Sequence, residues 1–343
     1  MEALENSNHQ SSPQRMLGPT LIFPQIAEGK VGSSLRWNDD QERSFQAPFA
    51  TLRYCRRMTA DTHASGTTGF DQQLVVAALE DALSLPQSVP VFAIGGLQGC
   101  GKSTLAAQIA TLAEARGLHV AVLSIDDFYL TRAQRGQLAL DVHPLLASRG
   151  PPGTHDLELA AATLDDLLAG KRTGLPRFDK LADERAPTTQ WPVIEGRCDL
   201  VVLEGWFLKT PAQQADELCV PINALERDED PDGTWRNWCN AALARDYPPL
   251  WQRIDALWWL QGPDFEVVPD WRWQQEQVLQ AADPGNAGAR VGMDRAQVAR
   301  FVQLFERGSR QALRTLPAIA ERTIRLDAQR RPVLSPKGTS FGA

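Results

Sequence analysis

The chain has 343 residues, enough for one large or two small domains, a formal net charge of -7 at pH 7 and 43% hydrophobic residues. Its longest basic runs are doublets such as Arg56-Arg57, too short for an electrostatic surface that holds DNA or RNA, so we expect no nucleic-acid partner. No uninterrupted apolar run could span a bilayer, so we expect a soluble protein without a membrane partner. The five cysteines lie singly, without zinc-site or disulfide-framework spacing, which favours a cytoplasmic location.

The beginning of the chain carries no sustained hydrophobic period. Residues 1–65 mix proline, glycine, serine and charged residues, a composition that predicts a poorly ordered N-terminal extension. Met58 stands directly after Arg57, which raises the hypothesis that translation starts there; the intact mass of the native protein would decide it. Residues 66–330 are predicted to form one domain, and residues 331–343 a C-terminal tail.

Short apolar strands alternate with helical patterns from Phe70 onward. Apolar residues recur at helical spacing from Phe70 to Leu83 and stop before Pro86. The predicted strands are 91–95, 119–125, 199–203, 256–260 and 322–326, and the further predicted helices are 104–116, 157–168, 271–281 and 294–313. This alternation predicts an α/β three-layer sandwich with a mostly parallel five-stranded sheet that is covered on both faces.

The segment 206–254 is long for a connection inside a compact domain. We therefore predict a partly helical insertion that serves as a lid. Trp235 and Trp238 are spaced for one helical face, and we favour core packing over stacking on a base for them. A lid of this kind would keep water away from reacting groups.

A complete G-x-x-x-x-G-K-[ST] motif follows the first predicted strand. Strand, loop and helix come in the order of a P-loop, whose backbone N–H groups surround nucleotide phosphates, so the predicted sandwich is of the P-loop NTPase type. Lys102 is predicted to reach the β- and γ-phosphate oxygens and to act in catalysis, and the Ser103 hydroxyl to hold Mg²⁺. The loop residues predicted to bind ATP are Gly96, Leu97, Gln98, Gly99, Cys100, Gly101, Lys102, Ser103 and Thr104.

Carboxylates stand at the ends of two further predicted strands. Asp126 and Asp127 follow the second strand, and Glu204 ends the third. Ligands of parallel α/β sheets bind at the carboxyl ends of the strands, so we expect these acids beside the P-loop. Glu204 is predicted to order Mg²⁺ or its water, with an ordinary solvated strand end as the alternative. For the aspartate pair the alternative is helix capping.

Four blocks of sequence carry a family resemblance: Ser124–Thr131, Arg149–Asp156, Leu175–Lys180 and Val202–Phe207. In this order after the P-loop, they resemble the D-glycerate 3-kinases of plant and cyanobacterial type. That family lies within the uridine kinase, phosphoribulokinase and pantothenate kinase group of P-loop kinases. The resemblance covers about residues 70–330.

The resemblance implies a kinase that uses ATP and Mg²⁺ and phosphorylates the 3-hydroxyl of D-glycerate, giving 3-phosphoglycerate and ADP. It implies that Asp126 orients or deprotonates the acceptor hydroxyl, and that Asp127 is a metal ligand or supports one. Arg272 stands where the wider group carries lid arginines, so we expect it to contact the ATP phosphates. A helix ion pair is the alternative for Arg272, and the chain lacks the arginine-dense lid of the nucleoside kinases.

A site for glycerate should offer cations or several donors to its carboxylate. The substrate-binding candidates in the four blocks are Arg149, His155, Asp156, Arg177 and Lys180. Each has a structural alternative, such as a helix cap for Arg149, a core histidine for His155, or solvated loop charges for Arg177 and Lys180.

Three functions remain open from the sequence. The first is the glycerate kinase, and the second is a P-loop kinase of the same fold that acts on another small alcohol, such as a nucleoside, pantothenate or a sugar. The third is a non-catalytic ATP-dependent switch or binding module. A GTPase is disfavoured because the chain has no Asn/Thr-Lys-x-Asp segment to recognise guanine.

Overall fold

The computed structural model describes residues 69–180, 182–282 and 292–333. These ranges belong to the second of two compact units of the chain, residues 49–343. The predicted extension 1–65, its boundary and the hypothetical start at Met58 lie outside the described residues. Within the described ranges, no helix combines the length and apolar character that crossing a bilayer requires.

One parallel sheet forms the centre of the domain. Its strands are β1 (Val91–Gly96), β2 (Val120–Ser124), β3 (Leu200–Gly205), β4 (Ala256–Gln261) and β5 (Arg322–Arg325). They lie in the order β2–β3–β1–β4–β5, and all neighbours pair in parallel. Every residue of β1 and β3 is buried, so side chains on both faces of the sheet are covered. The predicted α/β sandwich with a parallel five-stranded sheet is confirmed.

Helices connect and cover the strands. They are α1 (Gln72–Leu83), α2 (Lys102–Ala115), α3 (Arg132–Asp141), α4 (Leu157–Leu168), α5 (Ala224–Glu229), α6 (Thr234–Arg245), α7 (Pro248–Trp251), α8 (Val268–Ala282) and α9 (Arg295–Thr315). Side-chain caps fix several starting points: Asp71 accepts from the Gln73 N–H before α1, and Asp294 forms a reciprocal capping box with Gln297 at α9. The predicted helices are confirmed, with ends that differ by a few residues.

Some short elements were not expected from the sequence. Helix α3 begins with a capping box between Thr131 and Gln134, but it buries only Arg135 and therefore shows no apolar stripe in the sequence. Two antiparallel pairs of two-residue strands join 173–174 to 193–194 and 178–179 to 184–185. Strands of two residues are too short to show a period.

The register of the central strands brings the predicted acidic strand ends together. Ile94 of β1 and Ser124 of β2 both align with Glu204 of β3. The P-loop leaves β1 two residues after Ile94, and Asp126 lies two residues after Ser124. The carboxyl edge of the sheet therefore carries the P-loop, the aspartate pair and Glu204 side by side.

The segment 206–254 contains α5, α6 and α7, as its predicted helical character required. Buried ion pairs hold this segment in place. Arg236 lies 2.9 Å from Asp230 within the segment, and Arg307 of α9 lies 2.7 Å from Glu226 of α5. Trp235 is 3% exposed and belongs to the core, so the predicted core packing is confirmed for it.

The chain turns back on itself after β5. The Val333 N–H donates to the Arg325 carbonyl at 2.8 Å, and the Asp327 N–H donates to the Arg331 carbonyl at 2.9 Å. Ordered contacts thus continue a few residues past position 330, where the tail was predicted to begin.

Candidate active site

The P-loop is stabilised by its own backbone and by Lys102. The Cys100 N–H and the Lys102 Nζ both donate to the Leu97 carbonyl, at 3.2 and 3.0 Å. Lys102 is buried, whereas Ser103 and Thr104 at the start of α2 are exposed. The exposed first turn of a helix presents free N–H groups and the positive end of the helix dipole, which suits a phosphate.

Two distant segments hold the loop at Gly99. Gly99 has a φ of 79°, and a Cβ there would lie 2.7 Å from the Cβ of Trp271 on α8, so the position requires glycine. Arg330 Nε donates to the Gly99 carbonyl at 2.6 Å, and its guanidinium lies 5.3 Å from the centre of the Trp271 ring. The turn after β5 and helix α8 therefore fix the shape of the P-loop from outside.

Ser103 and Glu204 meet beside the loop. The Ser103 hydroxyl donates to Glu204 Oε1 at 2.9 Å, which places a hydroxyl and a carboxylate oxygen together. Hard oxygen ligands of this kind suit Mg²⁺, which keeps several waters and takes one or two protein ligands plus phosphate oxygens. The described residues contain no group of three or more His, Cys, Asp or Glu able to hold a metal alone. The pair therefore fits an ion that a nucleotide and water would also ligate.

Asp126 lies at the centre of a polar cluster beyond β2. Lys180 Nζ donates to its Oδ2 at 2.7 Å, and the Tyr129 hydroxyl donates to its Oδ1 at 2.6 Å. Burial alone would raise the pKa of Asp126, but Lys180, the Tyr129 hydrogen bond and the charge of Lys102 hold it well below its usual range. Asp126 is thus an ionised hydrogen-bond acceptor. Its partner Lys180 is half-exposed, with 52% of its side chain accessible.

Asp127 faces a different environment from its neighbour. Its Oδ1 accepts from the Phe178 N–H at 3.2 Å, and its Oδ2 accepts from the Ser124 N–H and from Arg177, both at 3.3 Å. Burial raises the pKa of Asp127 to about 6, against the opposing charges of Arg177 and Lys180. Both oxygens are engaged by the protein, and the role of Asp127 as a metal ligand stays a prediction.

His155 lies beside this cluster and is 5% exposed. The blocks around Tyr129 and His155 run side by side, with the Leu130 N–H donating to the Thr154 carbonyl at 2.9 Å. The His155 ring lies 4.9 Å from the Tyr129 ring and 5.4 Å from the Phe207 ring. Burial lowers the pKa of His155 to about 4, and Asp126 only partly opposes this. His155 is therefore neutral at physiological pH.

The other predicted substrate residues are tied to neighbouring groups. Arg149 pairs with Asp183, which also pairs with the fully buried Arg135 at 2.9 Å. Asp156 accepts from the Leu159 N–H at the start of α4 at 3.0 Å, and from Arg185 at 2.9 Å. Contact of Arg149 and Asp156 with substrate stays a prediction.

Arg177 also has several protein partners. Besides Asp127, it donates to the carbonyls of Pro176 and Val122, at 2.7 and 3.2 Å. These bonds attach the segment before Lys180 to strand β2. The structure thus gives Arg177 a clear part in positioning Asp127 and Lys180, while its contact with substrate stays a prediction.

Arg272, predicted to contact the nucleotide, lies one residue after Trp271 on α8. It pairs with Glu276 at 2.9 Å, so the alternative helix ion pair is present, and its guanidinium lies 5.9 Å from the centre of the Phe301 ring. Its Nη1 is buried without a hydrogen-bond partner among the described residues. The phosphate contact of Arg272 stays a prediction.

Three residues of the site were missed by reasoning from the sequence. Tyr129 holds Asp126, Arg330 holds the P-loop, and the Tyr247 hydroxyl lies 2.7 Å from His155 Nδ1. The adjacency of Tyr129 to the aspartate pair could have indicated its role. Arg330 and Tyr247 are 231 and 92 residues away from their partners and carry no local signal.

The chain is similar to several known proteins. No protein-family model matches the chain. The chain is 32% identical over 236 residues to the uncharacterized kinase mug58 of Schizosaccharomyces pombe, a match that covers 64% of this chain and 80% of that protein. It is 29% identical over 283 residues to the chloroplastic D-glycerate 3-kinase of Arabidopsis thaliana, covering 75% of this chain and 58% of the plant protein.

A solved structure shares the fold. The D-glycerate 3-kinase of Cryptococcus neoformans superimposes with a TM-score of 0.58 at 25% identity, over 82% of this chain and 98% of the fungal one. The shared region therefore takes in nearly the whole of the fungal chain.

Proposed function

We propose that this chain, which belongs to the family of P-loop kinases that includes the D-glycerate 3-kinases, transfers the γ-phosphoryl group of ATP to the 3-hydroxyl of D-glycerate, giving 3-phosphoglycerate and ADP. The chain is an ATP-dependent kinase with a small-molecule substrate. The observation that carries the choice of acceptor is the contact between Asp126 and Lys180, at 2.7 Å. A carboxylate that can orient a hydroxyl and an ammonium that can bind a carboxylate suit the two functional groups of a hydroxy acid.

On the donor side, we assign the phosphates to the P-loop. Lys102 exchanges the Leu97 carbonyl for the β- and γ-phosphate oxygens and stabilises the charge on the transferred group. Ser103 and Glu204 hold Mg²⁺, which when bound neutralises phosphate charge. Asp127 acts on the site through its bonds to Arg177 and the Phe178 N–H.

On the acceptor side, Asp126 orients the attacking hydroxyl and takes its proton late in the transfer. A carboxylate with a lowered pKa is a weak base, but in a loose phosphoryl-transfer transition state positioning matters more than basicity. The half-exposed Lys180 ammonium can turn from Asp126 Oδ2 as the hydroxyl approaches and bind the acceptor carboxylate.

The test is a coupled assay of ADP release with ATP, Mg²⁺ and a panel of acceptors: D-glycerate, L-glycerate, glycerol, pantothenate, uridine and a hexose. We expect the largest kcat/KM with D-glycerate. No stimulation by D-glycerate over the blank, or faster turnover with another acceptor, overturns the assignment. Omission of Mg²⁺ with excess EDTA should abolish the ADP release.

Lys180→Met sharpens this assay because it keeps the length of the side chain but removes its charge. We expect the KM for D-glycerate to rise about 10- to 50-fold, the loss of one charge-assisted hydrogen bond. The KM for ATP should change less than about threefold. An unchanged KM for D-glycerate would show that Lys180 does not bind the acceptor. Lys171→Met, at an exposed lysine that pairs with Asp166, is the matched control.

We propose the boundaries 66–330 for the kinase domain, with a cytoplasmic location. The location is supported by the free thiols of Cys100, Cys198, Cys219 and Cys239 in the described part of the chain. Cell fractionation tests the location, and limited proteolysis with mass determination of the resistant fragment tests the boundaries. A stable fragment that begins well inside helix α1 would contradict them.

A further inference from the structure

A hydrogen-bond chain links the insertion to His155. The Gly153 N–H donates to the Tyr247 Oη at 2.7 Å, and the same Oη lies 2.7 Å from His155 Nδ1. Tyr247 stands just before α7 and is fully buried. Gly153 cannot be replaced easily, since its φ is 91° and a Cβ would collide with Trp238 of α6. Helix α6 and the residue before α7 thus hold the 153–155 segment.

This chain of bonds favours one position for the proton of the neutral His155 ring. The Tyr247 oxygen accepts from Gly153, so its own hydroxyl proton is free to be donated to Nδ1. With the ring proton on Nε2, Nδ1 accepts from the hydroxyl and only Nε2–H lacks a partner, whereas a proton on Nδ1 would leave both the Tyr247 hydroxyl proton and Nε2 without a partner among the described residues. Burial keeps the ring neutral, with a pKa lowered to about 4.

The Nε2–H group is therefore a buried donor that points away from Tyr247. No described residue accepts a hydrogen bond from it. Such an unpaired buried donor is costly, by about 1–3 kcal/mol, and it calls for an explanation in terms of function. The centre of the His155 ring lies 4.9 Å from that of Tyr129, with the rings tilted by 38°, and the Tyr129 hydroxyl donates to Asp126 at 2.6 Å. His155 is thus linked through one side chain to the group assigned to the acceptor hydroxyl.

We propose that Tyr247 is a positioning residue that fixes His155 as the Nε2–H tautomer, and that this N–H is an uncharged donor to an oxygen of the acceptor. The inference rests on the proposed function, because it concerns the same acceptor site. An acceptor hydroxyl bound at Asp126 would lie beside Tyr129, which bonds to Asp126 and whose ring neighbours that of His155. A neutral donor recognises an oxygen without attracting the ATP phosphates as a cation would, so it favours the acceptor over the donor.

Kinetics of Tyr247→Phe test the role of the hydroxyl, because the substitution keeps the ring and removes only its oxygen. With whichever acceptor the panel identifies, we expect the KM for the acceptor to rise about 10-fold, the value of one hydrogen bond. The KM for ATP should be unchanged and kcat within about threefold. Thr210→Val is the matched control, since it removes another buried hydroxyl of the insertion that bonds to no described residue. Equal effects of the two substitutions overturn the proposal.

A double-mutant cycle separates positioning from general destabilisation. His155→Phe should raise the KM for the acceptor at least as much as Tyr247→Phe, and adding Tyr247→Phe to it should have no further effect. Additive effects overturn the proposal, because Tyr247 would then act by another route.

Nitrogen NMR of the histidine side chains gives a readout that does not depend on activity. In the wild type we expect His155, assigned by its absence in His155→Phe, to show a protonated Nε2 and an unprotonated Nδ1. Tyr247→Phe should mix the two tautomers, and saturating acceptor should shift the Nε2–H signal of the wild type. A protonated Nδ1, or an Nε2–H signal unmoved by acceptor, overturns the proposal even if Tyr247→Phe fails to fold. If the wild type phosphorylates no acceptor, the proposed function fails, and so does the proposed hydrogen bond from Nε2–H to an acceptor. The position of the proton on His155 is still decided by NMR alone.

Discussion

The proposed donor and acceptor sides of the site are built in opposite ways. The proposed donor side is one contiguous loop, residues 96–103, whose backbone would meet the ligand and whose shape is fixed by Gly99 and by contacts from outside. The proposed acceptor side consists of side chains from separate segments: Asp126 and Lys180 are 54 positions apart in the sequence, and His155 and Tyr247 are 92 apart. A loop that binds through its backbone can hold the phosphates of any nucleoside triphosphate. Side chains from separate segments can recognise one particular acceptor, and they can be substituted without disturbing the loop.

The largest expected effect lies on the donor side. Lys102→Ala should lower kcat about 10³-fold or more with every acceptor, because the charge on the transferred phosphoryl group loses its nearest cation. Single-turnover assays with two acceptors measure this. If the loss were confined to one acceptor, Lys102 would belong to the acceptor side and the division between the two sides would fail.

Asp126→Asn is the counterpart on the acceptor side. It keeps the size and one acceptor oxygen but removes the charge, so we expect kcat to fall about 10²- to 10³-fold. The Kd for ATP, measured by calorimetry, should change less than about threefold, since Asp126 contacts no P-loop residue through a hydrogen bond. Normal turnover in this variant would contradict the assigned role. Asp166→Asn, at an exposed aspartate paired with Lys171, is the control.

The acceptor side should also make stability depend on pH. His155 has a pKa lowered to about 4 when folded, so the unfolded chain binds its proton first as pH falls through the ordinary value of about 6.5. Its contribution is fully present above pH 6.5 and is lost towards pH 4, by about 3 kcal/mol in all.

Urea unfolding of the wild type and His155→Gln at pH 7 and pH 4.5 measures this contribution as a difference. Asp127 acts in the opposite direction over the same range, since its pKa is raised to about 6 and stability falls as pH rises from about 4 to 6. That term is common to both proteins and cancels. Parallel pH profiles of the two proteins would contradict the buried neutral state of His155.

The smallest expected effect concerns the support of the P-loop. Arg330→Ala removes the hydrogen bond to the Gly99 carbonyl and the contact with Trp271, so the loop loses part of its preformed shape. We expect the KM for ATP to rise about 10-fold, with an unchanged KM for the acceptor. Arg325→Ala, at an exposed arginine of the same strand end, is the matched control. A change confined to the KM for the acceptor would show that Arg330 acts on the acceptor side and not on the donor side.

The same contrast explains what the sequence could predict. The P-loop, the strand ends at Asp126 and Glu204 and the parallel sheet follow from local patterns, because the glycine-rich loop and the apolar runs carry their own signals. The contacts of Tyr247 and Arg330 depend on how distant segments pack, and nothing near either residue indicates its partner. Arg149 and Asp156 lie in recognisable blocks, but their ion pairs with Asp183 and Arg185 became visible only in three dimensions.

The buried ion pair between Glu226 and Arg307 limits how this enzyme can diversify by recombination. Glu226 is fully buried in the insertion, and its partner lies 81 residues further on, in α9. Grafting an insertion that has no acid at position 226 would leave the buried Arg307 unpaired, at a cost of about 3–5 kcal/mol. The insertion also carries Tyr247 to the proposed acceptor site. A new acceptor preference would therefore be inherited as two matched segments, the insertion together with helix α9, while the phosphate loop could stay as it is.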